Sequence, residues 1–100
     1  MENNINSQQT IGTSAVVISE QKVNGKTRRA GIICINSSTA SQVITIAIDK
    51  EPAAGAGIVL SPGGSWSDTK DGGGYPTQAQ ILAIANLAGA LLSIQERVEN

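Results

Sequence analysis

A chain of 100 residues is long enough for one modest core, and its seven basic and eight acidic residues leave a formal net charge of −1 with no histidine. That balance argues against the concentrated basic face that phosphate backbones require. The missing imidazole and the single cysteine exclude an intrachain disulfide, a His- or Cys-rich zinc site and any His-activated nucleophile.

Residues 1–13 are dominated by Asn, Gln, Ser and Thr, with Ile5 and Ile11 as isolated apolar positions, and read as a flexible N-terminal arm. The sharper reading of this arm is one that orders against a neighbouring subunit. The start lacks both a basic and an apolar leader region, and no apolar run approaches the roughly 20 residues of a membrane span. A soluble product, made and kept in a cytoplasm unless carried out, is therefore expected, with no membrane partner.

Residues 14–100 read as one domain. Ala15 to Ser19 is a first strand, and the Asn24-Gly25 pair after it is a hairpin signal, because both residues tolerate positive φ. Arg28 to Asn36 is a stronger strand, whose run Ile32-Ile33-Cys34-Ile35 implies burial on both faces or a central place in a sheet. Cys34 inside that run reads as a buried, inert thiol. Gln42 to Ile48 alternates, with Ile44, Ile46 and Ile48 assigned to the core. Gly57 to Ser67 then reads as strand, turn, strand. Pro62 presets φ for the first corner of a turn, and the glycine after it supplies the positive φ of a type II turn.

From Thr77 to Glu99 two readings stand side by side. Ala, Leu, Gln and Glu favour a helix capped by Thr77, whereas the pattern also permits strands at Gln80–Ala85 and Leu91–Val98 paired across Asn86 to Gly89. Short strands at regular spacing upstream favour closing strands, giving an all-β fold: a compact antiparallel β-sandwich, jelly-roll-like. Val16, Ile18, Ile33, Ile35, Ile44, Ile46, Ile48, Leu60, Ile84, Leu92 and Ile94 are its expected core.

Motifs that carry chemistry are weak. Asp68 and Asp71 lack the alternating ligands and closing Glu of a calcium loop. Gly55-Ala56-Gly57 precedes a strand rather than following one, so it is no dinucleotide fingerprint, and Asn36-Ser37-Ser38 matches a glycosylation acceptor without a secretion signal. Arg28 and Arg29 suggest either a carboxylate or phosphate clamp or, in the plainer reading, charges that keep a strand end solvated. Lys22, Lys26, Arg28 and Arg29 cluster, yet Trp66 and Tyr75, the only aromatic residues, lie elsewhere, so nucleic-acid binding is not expected. With no tunable histidine and no convincing carboxylate pair, no catalytic residue, cofactor or metal is assigned, and an enzyme is not expected.

Taken together, Arg28 to Asn36, Ile44 to Ile48, Gly57 to Trp66 with its Gly-Ile-Val-Leu-Ser-Pro-Gly corner, Ile81 to Ala85 and Leu92 to Glu96 resemble the small β-sandwich virion proteins of tailed bacteriophages, of head-decoration, cement or fibre-base type. The resemblance implies a capsid-surface protein, commonly a homotrimer, whose partners are the major capsid protein or other virion proteins. Ile5, Ile11, Arg28, Arg29, Trp66 and Tyr75 are its candidate capsid or subunit contacts. Two other functions are carried forward: a carbohydrate- or receptor-binding module of a fibre or tail with Trp66 and Tyr75 exposed, and a small adaptor that requires a helical 77–99.

Overall fold

The computed structural model describes residues 2–22, 28–39, 41–70 and 74–99, with side chains from Asn4 onward. The described residues form eight strands and no helix: β1 (Glu2–Ile11), β2 (Val16–Ser19), β3 (Arg28–Asn36), β4 (Ile44–Ile48), β5 (Ile58–Leu60), β6 (Ser65–Thr69), β7 (Ile81–Ala85) and β8 (Ala90–Glu99). They make two four-stranded sheets of order β1-β8-β3-β6 and β2-β7-β4-β5, every pairing antiparallel. Successive strands alternate between the sheets except β4 and β5, which pair directly; this is the strand order of a jelly-roll sandwich.

The core lies between the two inner faces. Ile11, Ile32, Cys34, Ala90, Leu92 and Ile94 from one sheet meet Ile44, Ile46, Leu60, Ile81, Ala83 and Ala85 from the other, with Val16, Ile18, Ile58 and Trp66 packed at its margin. Aliphatic side chains at alternate positions account for this, since only one face of each strand can reach the opposite sheet.

Four expectations are corrected. The segment 1–13 is not an arm: Glu2–Ile11 pairs along its whole length with β8, Glu2 opposite Glu99 and Ile11 opposite Ala90. Its composition hid this because the strand is held by a continuous backbone ladder, with Ile11 its only fully buried apolar side chain. Secondly, β2 and β3 lie in different sheets, so they form no hairpin; Asn24 and Gly25 themselves fall outside the described residues. Thirdly, residues 77–99 hold the two expected closing strands and no helix, but β7 and β8 belong to opposite sheets and do not pair with each other, and the turn at Gly89 (φ +83°) carries the chain across. The adaptor reading falls with the helix.

The fourth correction concerns the phase of β3. Ile32 and Cys34 are fully buried, while Ile33 and Ile35 point outward at 37% and 41% exposure. Four consecutive apolar residues carry no phase of their own. The partners decide it: Cys34 sits opposite Trp66 and Ile94, whose bulk leaves room for a small side chain, and Ile33 and Ile35 face Ser67, Ser65, Gln95 and Ser93. The strand is central in its sheet but buried on one face only. Of the other expected core residues, Ile44, Ile46, Leu60, Leu92 and Ile94 are buried, Val16, Ile18 and Ile84 are half-buried, and Ile48 is exposed where β4 ends.

The Pro62 corner forms as expected. Gly64 N–H donates to Ser61 O at 2.7 Å across the turn and Gly63 takes φ +84°, the position a type II turn reserves for glycine. It moves the chain from β5 in one sheet to β6 in the other. Just upstream, residues 52–57 fold over the outer face of β4. Gly55 N–H donates to Thr45 Oγ1 at 3.0 Å, and Gly57 (φ +147°) lies so close that a Cβ there would sit 2.8 Å from Ile46 O.

Candidate functional site

The two polar ends of β3 gather most of the buried polar chemistry. At its start Arg29 is completely buried, and all five of its guanidinium N–H groups are used. Nε donates to Glu96 Oε2 at 2.7 Å, Nη1 to Thr77 O and Ala79 O, and Nη2 to Ser19 Oγ at 2.6 Å and Glu20 O at 3.0 Å. Ser19 Oγ in turn donates to Glu96 Oε2 at 2.7 Å. β3 and β8 lie in one sheet and β2 in the other, so one guanidinium ties both sheets and the segment leading into β7. Gln78 completes the arrangement: its side-chain amide accepts from Arg29 N–H at 2.7 Å and donates to Arg29 O at 2.9 Å, capping the bulge between Arg29 and Gly31. Neither reading of Arg29 from sequence survives, because it is neither a clamp for an external anion nor a solvated flank. The legible sign was Glu96, a charge in the inward phase of Leu92, Ile94 and Val98; such a position demands a buried counter-charge.

At the other end Asn36, also fully buried, uses an amide in the same way. Nδ2 donates to Gln42 O at 2.8 Å and Leu60 O at 2.9 Å, and Oδ1 accepts from Ser38 N–H at 3.1 Å. Its backbone pairs with Gly63 and Gly64, which fastens β3 to the Pro62 corner. Between the two ends, burial pushes the Cys34 thiol up to about 12, with Glu96 adding to the rise and Arg29 opposing it. A thiol so placed stays protonated and inert.

The remaining candidates divide. Ile11 and Arg29 are enclosed by the chain's own core and are unavailable as contacts, which corrects that assignment. Trp66 faces inward opposite Cys34 and packs half-buried against the core. Ile5, Arg28 and Tyr75 remain exposed. Tyr75 is nonetheless engaged: its hydroxyl donates to Glu99 Oε1 at 2.8 Å, the Arg28 guanidinium lies 4.4 Å from the ring centroid and Lys70 Nζ 5.0 Å from it. Lys70 also pairs with Glu99 at 2.9 Å, and that hydrogen bond holds its ammonium above the ordinary range. Trp66 and Tyr75 therefore do not share one stacking platform. Among the described residues, no three His, Cys, Asp or Glu side chains are grouped to hold a metal ion.

The exposed apolar residues are scattered over the outside. Ile33 and Ile35 lie on the outer face of the β1-β8-β3-β6 sheet beside shallow depressions lined with Asn4, Asn6, Ser93 and Gln95, and Val17, Val59 and Leu87 are exposed elsewhere.

No family model matches the chain and no curated protein matches it. Among solved structures it is similar to a protein of Bacillus endospore appendages, described as forming a novel family of disulfide-linked pili. The likeness covers 100% of this chain and 87% of that one, at a TM-score of 0.58 and 12% sequence identity, and what it shows is a shared all-β fold.

Proposed function

We propose that the chain is a non-enzymatic structural subunit whose work is assembly, and that its setting is the surface of a bacteriophage head. There it would bind the major capsid protein or its virion neighbours as a homotrimer, having been made in the host cytoplasm. One contrast carries the reading. The groups that ordinarily build sites, Arg29, Glu96, Asn36 and Cys34, are consumed inside the fold, while Ile5, Ile33, Ile35, Val59 and Leu87 stand exposed at 37–49%. With those polar groups sealed, what the outside offers is the pair Ile33 and Ile35 on one sheet face, a surface that favours contact with other protein over turnover of a small molecule. The resemblance of the Arg28–Asn36 strand and the Gly57–Trp66 corner to phage virion proteins supplies the setting.

A second reading, a subunit of a surface filament, is favoured by the fold shared with the endospore-appendage protein. Such a filament could not be linked through Cys34, the only cysteine in this sequence, without opening the core around it. The fibre or tail binder is less well supported, because Trp66 packs inward and Tyr75 is occupied by Glu99, Arg28 and Lys70. Immunogold electron microscopy with an antibody to the chain tests the proposal. Labelling of phage heads is the expected result; labelling of filaments supports the second reading, and labelling of neither overturns both.

A further inference from the structure

The β1 edge is unlike the other three edges of the sandwich. An exposed strand edge offers a row of backbone donors and acceptors to any other strand, and folded proteins blunt it by shortness, charge, proline or bulges. β5 spans three residues, β2 spans four and is irregular between Val17 and Ser19, and β6 carries Asp68 and is followed by Lys70. β1 has ten residues in unbroken register with β8, with no proline and no charge from Asn3 to Ile11. Asn4, Asn6, Ser7, Gln8 and Thr10 are exposed along it. Ile5 lies on the core-facing side, opposite buried Glu96, and is 49% exposed because no strand lies beyond it.

We infer that β1 is the docking edge for a second copy of this chain, paired antiparallel with its own β1 across a two-fold axis. The neutral sequence is self-complementary, since reversal sets no like charges against each other between Asn3 and Ile11. Keeping each outer face continuous requires side chains of the same phase to oppose one another, which places Asn6 or Ser7 on the axis. Either register aligns nine residues, with Asn6 facing Asn6 or Gln8 of the other copy. It gives roughly one backbone hydrogen bond per residue pair, comparable to the number in an ordinary interface. The second strand also covers Ile5. This contact stands apart from the virion proposal: where trimers form it joins them in pairs, and where none form it makes dimers.

Sedimentation of the full chain over a range of concentrations, beside Asn6→Lys/Gln8→Lys, tests it. Both side chains are exposed, so thermal unfolding at dilutions where the parent chain is dissociated should be unchanged, and in either register lysine meets lysine. The expected result is association weakened about tenfold or more, with the mass of the assembled species falling at least twofold and partly recovering in high salt. Asn6→Cys/Gln8→Cys, which sets cysteine opposite cysteine in either register, should cross-link into covalent dimers on oxidation, whereas Thr69→Cys on the β6 edge should not. A parent chain that never associates, or whose association ignores the two lysines, overturns the inference.

Discussion

The two ends of β3 perform the same task with different chemistry. At Arg29 an ion pair, extended through Ser19 and backbone carbonyls, joins the sheets; at Asn36 a neutral amide holds the Pro62 corner and the strand that precedes it. Both side chains are fully buried and both are satisfied. The difference lies in what removal leaves behind. Loss of the guanidinium strands the Glu96 carboxylate at an apolar depth, whereas loss of the amide strands neutral groups with smaller desolvation penalties. One strand is thus anchored twice, and the charged anchor is the more fragile.

The comparison fails if the two ends respond alike. Arg29→Met should cost about 3–5 kcal/mol in chemical denaturation, and Arg29→Met/Glu96→Leu should recover most of it, because the penalty is the orphaned charge. Asn36→Ala should cost about 1–3 kcal/mol, leaving Ser38 N–H and the carbonyls of Gln42 and Leu60 without their partner.

Cys34, midway between the ends, sharpens the picture through pH. Its thiol is pushed in the fold to about 12 from an ordinary 9.0. The unfolded chain ionises first, so the contribution is intact below pH 9 and is lost as pH rises toward 12. The slope approaches about 1.4 kcal/mol per pH unit in that window, and Cys34→Ala should abolish it. A thiol reagent near neutral pH should label Cys34 only when denaturant is present. The smallest effect belongs to the outer face of the same strand. Ile33→Ser should change stability by no more than about 0.5 kcal/mol, whereas Ile32→Ala should cost about 2–5 kcal/mol; reversal of that order would contradict the observed phase.

Legibility of the sequence follows the same division. Alternation in Ile44 to Ile48 and turn chemistry at Pro62-Gly63 are local signals, and both are visible without the fold. The all-β class and the sandwich architecture follow from them. β1 was illegible because Asn, Ser and Gln carry no hydrophobic period, and only the waiting edge of β8 makes those residues a strand. The phase of β3 was hidden by four consecutive apolar residues and settled by Trp66 and Ile94 across the sheet. Arg29 looked like a surface charge because its partner is Glu96, 67 positions away. Pairings at such separation leave no spacing to read, although a charge in an apolar phase marks one half of them.

The proposal that this chain works by assembling rests most directly on its own association state. Light scattering of the purified full chain at micromolar concentration and above should give a discrete oligomer of the 10.3 kDa chain: a trimer, a pair of trimers or, from the β1 contact alone, a dimer. A 10.3 kDa particle at every concentration would contradict it.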